Sequence, residues 1–198
     1  MNYLVTKKTK AKEWFTIIAP EIFNERELGR TMSGEPDALL GRRITISLAE
    51  LTNNFNKFYM KFIFKVSRIE GNKAFTNFDG SECLRDYISR MVLRRIRRID
   101  TVQDLTTKDG VRIRVKGLAI IPRRIKNSIQ VKVRNNIKEN LKKEVGAMTL
   151  GDFVRKIISD EIKIKILIEA RRIYPVRNFE IRKTEIITSA KTTSAKTE

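Results

Sequence analysis

The sequence predicts an α+β fold, with a mixed or antiparallel, β-barrel-like body and several packed helices. Apolar and polar residues alternate through much of the first half of the chain, as in half-buried strands, whereas the second half carries apolar residues at helical spacing. The 198-residue chain is 41% hydrophobic, which is enough to bury a core. We expect a flexible basic arm over residues 1–12, a single domain over 13–187 and a disordered polar tail over 188–198.

The first strand is predicted at Trp14–Ile18, an apolar run that ends before Pro20. Its two aromatic residues, Trp14 and Phe15, are assigned to the core. Residues 24–41 contain three glycines and one proline, which predicts a connecting loop with one helical turn at most.

Clearer alternation follows this loop. It predicts strands over Arg42–Leu48 and Phe58–Ile69, and Gly71-Asn72 predicts a hairpin turn into a strand over Ala74–Phe78. We expect the aromatic residues of this region to pack in the core rather than to stack on bases. They are Phe55, Phe58, Phe62, Phe64, Phe75 and Phe78.

An arginine-rich helix is predicted over Leu84–Ile99, because apolar residues recur there at helical spacing. This arrangement leaves four arginines on the opposite side, namely Arg90, Arg94, Arg97 and Arg98. Thr107-Lys108-Asp109-Gly110 then predicts a tight turn into a strand over Val111–Val115. Apolar residues share one face of that strand, and the other face carries Arg112, Arg114 and Lys116.

The rest of the chain is mainly helical in pattern. Pro122 permits a helix start, and apolar residues step by four from Ile125 until Gly146. Thr149 is a suitable N-cap for the next helix, and a further helix is predicted over Asp160–Tyr174. The segment Val176–Ile187 follows that helix. Its extended pattern suits a last strand that returns to the sheet.

Positive charge is concentrated in two places. The chain holds 42 Lys and Arg against 23 Asp and Glu, and residues 84–138 alone hold sixteen basic residues and four acids. Such a field is tolerated when it is solvated or meets a polyanion, and arginine suits phosphate and base stacking. The candidate RNA-binding residues are Lys7, Lys8, Lys10, Lys12, Arg85, Arg90, Arg94, Arg95, Arg97, Arg98, Lys108, Arg112, Arg114, Lys116, Arg123 and Arg124.

The composition argues against an enzyme. The chain has no histidine, no Gly-rich phosphate loop and one cysteine, Cys83, interpreted as a small buried residue. A Mg²⁺ nuclease built on Asp79, Glu82 and Asp86 is the remaining catalytic reading. A turn at Asp79-Gly80 and acids in the first turn of a helix explain these carboxylates better. We expect no catalytic residue, metal, cofactor, small-molecule substrate or membrane contact.

Nine short strings occur in a specific order along residues 12–185. They are Lys12-Glu13-Trp14-Phe15, Ala19-Pro20-Glu21-Ile22-Phe23, Gly41-Arg42, Ser47-Leu48-Ala49-Glu50-Leu51-Thr52, Arg85-Asp86-Tyr87, Thr106-Thr107-Lys108-Asp109-Gly110, Arg114-Val115-Lys116, Tyr174-Pro175 and Glu180-Ile181-Arg182-Lys183. In that order they resemble the small-subunit ribosomal protein S-three-A-E (eukaryotic-type S-one) family of archaea and eukaryotes. The stretch Arg123–Gln130 departs from the family's polar segment.

The resemblance implies a structural constituent of the small ribosomal subunit in the cytoplasm. Its members lie on the platform near the mRNA exit site and the 3′ end of the small-subunit rRNA, beside other ribosomal proteins and mRNA. It also implies that the family's basic helix and hairpin carry rRNA contacts, at Arg85, Arg90, Arg94, Arg95, Arg98, Lys108, Arg114 and Lys116. The alternative is a basic RNA- or DNA-binding protein outside the ribosome.

Overall fold

The computed structural model describes residues 11–188. Eight strands cross this part of the chain: β1 (Glu13–Ile18), β2 (Glu27–Ser33), β3 (Arg43–Ser47), β4 (Met60–Glu70), β5 (Lys73–Cys83), β6 (Arg97–Thr106), β7 (Arg112–Ile121) and β8 (Asn178–Thr188). Its five α-helices are α1 (Leu48–Thr52), α2 (Arg85–Met91), α3 (Asn127–Gly146), α4 (Leu150–Ile158) and α5 (Glu161–Arg171). Short 3₁₀ turns lie at Glu21–Phe23, Pro36–Leu39 and Phe55–Lys57.

Strand β5 is the centre of the mixed sheet. Along one edge it pairs with β4 over its whole length. The other edge is shared, because β1 pairs in parallel with Lys73–Phe75 and β8 pairs antiparallel with Gly80–Glu82. β2 extends the sheet beyond β1, β3 lies beyond β4, and β7 and β6 lie beyond β8. Within residues 11–188 no strand pairing joins the two ends of this path, so the α+β prediction is confirmed but the sheet is open rather than a closed barrel.

Gly80 allows β8 to approach β5. A Cβ atom at this position would lie 2.2 Å from the carbonyl oxygen of Thr184 on β8, which no side chain tolerates. The next residue, Ser81, donates its backbone N–H to the Thr184 hydroxyl at 2.9 Å. The predicted turn at Asp79-Gly80 is therefore wrong: both residues lie within β5, and Asp79 is a bulge opposite β4.

The core contains one face of β4 and the inner sides of the helices. Phe62 and Phe64 of β4 are fully buried, as the alternation predicted, and so are Val133 and Ile137 of α3. The phenylalanine of β1, Phe15, is also buried.

Three aromatic residues assigned to the core are exposed instead. Trp14 is 57% exposed because Phe15 and Ile17 occupy the inward positions of β1. Phe55 and Phe58 are 84% and 53% exposed, since they lie in or beside a 3₁₀ turn before β4 begins.

The segment 24–41 is not only a loop. Glu27–Ser33 forms β2, which pairs with β1 from Glu13 to Ile18. Cross-strand hydrogen bonds from β1 override the low strand propensity of Gly29. The single helical turn anticipated in this segment is present as the 3₁₀ turn at Pro36–Leu39.

The predicted arginine-rich helix is wrong beyond its second turn. α2 ends at Met91, and Arg97–Thr106 is strand β6, which pairs with β7 along its whole length. Ile99, Thr101 and Leu105 are buried at even spacing, which is the period of a strand. Ladder hydrogen bonds to β7 satisfy this backbone, so tertiary pairing overrides the helical spacing read from the apolar residues.

The second half follows the predictions more closely. α3 begins at Asn127 rather than near Pro122, and it ends at Gly146 as predicted. The hydroxyl of Thr149 accepts the backbone N–H of Asp152 at 3.2 Å, which confirms the predicted N-cap of α4. Of the helices within residues 11–188, none is long and apolar enough to cross a membrane.

Candidate nucleic-acid interface

Three segments without acids meet at one end of the β6–β7 pair. Residues 90–98, 121–128 and 175–178 come together there because Arg97 pairs with Ile121 and the backbone N–H of Arg177 donates to the Ile120 carbonyl at 2.8 Å. We call this surface the arginine end. It consists of Arg90, Arg94, Arg95, Arg97, Arg123, Arg124, Lys126 and Arg177.

A strained turn presents two of these arginines. The backbone N–H of Ile96 donates to the carbonyl of Leu93 at 3.2 Å, which closes a turn with Arg94 and Arg95 at its corner. Arg95 has φ of 70°, in the left-handed region that bulky side chains rarely occupy. Both side chains are exposed, and neither forms an ion pair with any residue from 11 to 188. They are thus available to an external anion.

Most of the other cations in the arginine end are equally unpaired. Arg97 donates to the side-chain oxygen of Gln130 on α3 at 3.3 Å, so part of its guanidinium is already used. No acidic partner in the described part of the chain binds Arg90, Arg123, Arg124 or Arg177.

A concave site adjoins the arginine end on the outer face of the sheet. This basic cleft has a volume of about 510 Å³. Four strands and one helix line it: Glu82 and Cys83 of β5, Arg85, Ile88 and Ser89 of α2, Arg98 of β6, Lys116 of β7, and Arg182 and Lys183 of β8. Five of these nine residues are cations that lie far apart in sequence, and only one is an acid.

Two of the five cations in the cleft remain without an ion pair. Arg98 binds Asp100 at 2.8 Å, and Lys116 and Lys183 share Glu185 at 3.1 and 2.8 Å. The hydrogen bond from Lys183 holds the pKa of the Glu185 carboxyl below its ordinary value. The other two cations, Arg85 and Arg182, have no acidic partner within residues 11–188. They are therefore the cations of the cleft that are best placed to bind phosphate.

A buried polar cluster holds α2 against β8. Glu180 is 2% exposed and accepts hydrogen bonds from the Tyr87 hydroxyl at 3.0 Å, from Asn178 at 3.1 Å and from Lys163. The ring of Tyr59 stacks on Tyr87 with centroids 4.1 Å apart. Burial, followed by the charge of Glu180, raises the pKa of the Tyr87 hydroxyl, so it remains a donor. The cluster therefore fixes the helical wall of the cleft.

Cys83 lies at the floor of the cleft and is buried, as predicted. Burial raises the pKa of its thiol to about 12, which leaves almost no thiolate at neutral pH.

The hairpin residues lie elsewhere. Lys108 and Arg112 are at the opposite end of the β6–β7 pair, roughly 30 Å from the arginine end at about 3.3 Å per residue. The hairpin is also tied to α4, because the Asp109 carboxylate accepts the Leu150 backbone N–H at 2.9 Å. Arg114 faces outward as predicted but forms two hydrogen bonds with Asp104, at 2.7 and 2.9 Å.

The predicted site residues are therefore split among three places. Nine lie in the arginine end or line the cleft, and three residues of the hairpin, Lys108, Arg112 and Arg114, form a separate group. Lys12 is exposed beside β1, while Lys7, Lys8 and Lys10 fall outside the described residues. The candidate residues predicted from the sequence did not include Lys126 and Arg177 of the arginine end, or Arg182 and Lys183 of the cleft. Acids such as Glu180 and Glu185 lie close in sequence to Arg177, Arg182 and Lys183, so the local net charge of this segment is low and the sequence did not mark it as a basic cluster.

The carboxylates considered for a nuclease do not converge. Asp79 binds Arg43 at 2.7 Å, Glu82 lines the basic cleft 4.0 Å from Lys183, and Asp86 lies in the first turn of α2. Over residues 11–188, no group of three or more Asp, Glu, Cys or His side chains is placed to hold a metal ion.

The fold and the charge distribution define a class, that of small basic α+β proteins with a cationic surface built from several segments. The chain belongs to the Ribosomal S3Ae family, whose model matches residues 4–190, and the resemblance seen in the sequence is thus confirmed. A small ribosomal subunit protein eS1 from Methanothrix thermoacetophila is 36% identical over 181 residues, which cover 91% of this chain and 86% of that protein.

Two further relatives carry the same name. The protein from Methanopyrus kandleri is 35% identical over 188 residues, covering 93% of this chain and 89% of its own. The protein from Saccharolobus islandicus is 34% identical over 183 residues, covering 92% and 88% respectively.

Proposed function

We propose that the protein is a structural constituent of the small ribosomal subunit and that it binds rRNA through the arginine end and the adjoining basic cleft. The observation that carries this proposal is the set of unpaired arginines that three separate segments bring to one end of the β6–β7 pair. Phosphate contacts of this kind give affinity and recognise RNA shape rather than sequence. Residues 13–187 act as the RNA-binding domain.

The proposed location is the platform of the small subunit, near the mRNA exit site and the 3′ end of the rRNA. Neighbouring ribosomal proteins and mRNA would be further partners, and the compartment would be the cytoplasm. The assignment to the small subunit is supported by relatives that are named as small ribosomal subunit proteins and match along most of their length, whereas the finer location is what the family resemblance implies. The protein works by binding and uses no cofactor.

Sedimentation tests the ribosomal assignment. A tagged copy of the full chain is expressed in its host, and native lysate is separated on a sucrose gradient at moderate salt. We expect the protein to sediment with small subunits. If it stays at the top of the gradient, the ribosomal proposal is wrong, and the alternative of a nucleic-acid-binding protein outside the ribosome gains support.

A pair of variants then tests the interface. Arg94→Ala with Arg95→Ala removes two unpaired cations of the arginine end and should release much of the protein from the small-subunit fractions. The matched control replaces Arg68 and Arg172, which are exposed but already bind acids at 3.4 and 3.1 Å. Equal sedimentation of the two double variants would show that the arginine end is not the rRNA contact.

A further inference from the structure

One acid lies inside the basic cleft, although a surface that bound only phosphate would be better without it. Glu82 of β5 is among the nine lining residues, and its side chain is 45% exposed. Its carboxylate has one ion pair in the described part of the chain, with Lys183 at 4.0 Å, which is too long for a hydrogen bond. It accepts no hydrogen bond from any residue between 11 and 188. Both carboxylate oxygens are therefore free to accept hydrogen bonds from a ligand.

A bulge in β8 places a phosphate-binding cation in the same cleft. Lys116 of β7 pairs with Lys183 of β8. The next residue of β7 pairs with Ile181, so Arg182 is skipped in this ladder. Consecutive strand residues normally point to opposite faces, but Arg182 and Lys183 both line the cleft. Bulges are known to re-aim side chains in this way, and this one accounts for the position of Arg182.

The cleft therefore combines two free guanidinium groups with one free carboxylate. Arg85 of α2, three residues after Glu82 in the chain, is the second cation of the cleft without an acidic partner within residues 11–188. A run of phosphates alone does not match this combination, because the carboxylate repels it. A phosphate joined to a group that donates hydrogen bonds does match it, and a nucleotide has that composition. The volume of about 510 Å³ lies within the range of sites that hold small ligands.

The bases differ in the donors that their Watson–Crick edges present to a carboxylate. Adenine, cytosine and uracil each present one donor group beside acceptors. Guanine presents two adjacent donors, the N1–H and the N2 amino group, which match the two oxygens of a carboxylate in a bidentate contact. Only an unpaired base exposes this edge.

We propose that the basic cleft holds one unpaired guanosine of an RNA strand. Arg85 and Arg182 bind its phosphate, and the carboxylate of Glu82 accepts hydrogen bonds from N1–H and the N2 amino group of its base. Phosphate contacts alone carry no sequence information, so Glu82 adds recognition of a base to the binding of RNA shape. The inference rests on the proposed function for its ligand class, RNA.

A set of RNA hairpins tests the choice of base. All have the same stem and a uridine loop, in which one position is occupied by guanosine, inosine or adenosine. Inosine keeps the N1–H of guanosine and lacks only the N2 amino group. Anisotropy of a fluorescent label on each hairpin measures binding to the full chain. We expect the guanosine hairpin to bind about tenfold more tightly than the adenosine hairpin, within the range for one bidentate contact, and the inosine hairpin to lie between them.

Glu82→Gln separates base recognition from charge. If Glu82 acted only through its charge, loss of this acid would raise the affinity for every hairpin equally. We expect instead that the variant binds the adenosine hairpin more tightly and gains nothing with the guanosine hairpin, so that the preference for guanosine falls to about twofold or less.

Glu70→Gln is the matched control because it makes the same change in net charge away from the cleft. Glu70 is the last residue of β4 and binds Arg68 at 3.4 Å, whereas Glu82 lies opposite Lys61 at the start of that strand. This variant should keep the preference of the unmodified chain for guanosine.

Free GMP distinguishes an RNA site from a nucleotide site. It should compete with the guanosine hairpin only at concentrations about a hundredfold or more above that of the hairpin, because it makes no phosphate contacts with the arginine end. Competition at equal concentration would show that the cleft serves a free nucleotide and would overturn the RNA assignment.

Two further outcomes would overturn the inference while RNA binding stands. One is equal binding of the guanosine and adenosine hairpins by the unmodified chain, and the other is the same preference for guanosine in Glu82→Gln as in Glu70→Gln. If the unmodified chain binds no hairpin at low salt, the RNA-binding function itself is wrong.

Discussion

The hydroxyl of Tyr87 donates a 3.0 Å hydrogen bond to the buried carboxylate of Glu180 and joins α2 to β8 beneath the basic cleft. Lys163 of α5 and Asn178 of β8 bind the same carboxylate, so three elements meet at one charge. Arg85, two residues before Tyr87, and Arg182, two residues after Glu180, line the cleft. The geometry of the candidate phosphate site thus depends on the polar cluster around Glu180.

Replacing Tyr87 by Phe should therefore destabilise the fold. The change removes a hydrogen bond to a charged group, and we expect the free energy of unfolding in urea to fall by roughly 1.5–3 kcal/mol. Tyr59→Phe is the control, because the Tyr59 hydroxyl makes no hydrogen bond to any residue from 11 to 188. An equal loss in the two variants would mean that the Tyr87 hydrogen bond contributes nothing specific.

The close approach of β5 and β8 predicts that Gly80→Ala is destabilising. A Cβ at this position would lie 2.2 Å from the backbone of Thr184, so the strands must separate, at a cost of about 1–3 kcal/mol in the free energy of unfolding. Gly151→Ala in α4 provides the comparison, since its nearest atoms would be 3.9 Å away. Alanine should stabilise that helix by about 0.5–1 kcal/mol. Thermal unfolding that is unchanged in Gly80→Ala would contradict the observed packing.

Two arginines of the sheet should differ in their contribution to RNA binding. Arg182 has no ion pair within the described residues, whereas Arg114 binds Asp104 at 2.7 Å. We expect Arg182→Ala to weaken binding to an rRNA fragment and to reduce the slope of log affinity against log salt by roughly 0.7–0.9. Arg114→Ala should change that slope by less than half as much. Anisotropy titrations between low and moderate salt measure both, and the reverse ranking would exclude the basic cleft.

Stability should decrease in acid through Glu185. Hydrogen bonds from Lys183 and then Lys116 hold the pKa of this carboxyl below its ordinary value of 4.5. A carboxyl whose folded-state pKa is depressed contributes stability above its unfolded pKa and loses that contribution as pH falls through the folded value. The free energy of unfolding should thus be steady from pH 7 to about 5 and decline below about 4.5. Glu185→Gln should show a shallower decline, and identical pH profiles would contradict this assignment.

Local patterns predicted the elements whose burial follows from their own sequence. The alternation around Phe62 and Phe64 identified the inner face of β4, and the alternation from Val111 to Val115 identified both faces of β7. The end of α3 at Gly146 and the N-cap at Thr149 were equally readable. In each case the signal lies within a few residues of the feature it predicts.

Elements that depend on a distant partner were not readable in this way. Arg97–Thr106 has apolar residues that fit a helix over its first part, and only the ladder with β7 makes it a strand. Likewise, β2 contains a glycine and lies in a segment whose composition is typical of loops. It is a strand because β1 supplies its hydrogen-bond partners. Trp14 was assigned to the core because the sequence alone does not show which face of β1 is covered.

The sequence by itself determined the family, the α+β class and the amount and kind of charge. Tertiary structure decided which of those charges are free. Arg114 is neutralised because strand register places it beside Asp104, and Lys116 because pairing of β7 with β8 places it beside Glu185. The convergence of Arg85 and Arg182 likewise requires that α2 and β8 pack together. Attraction between charges falls with distance in space, and only the folded chain sets that distance.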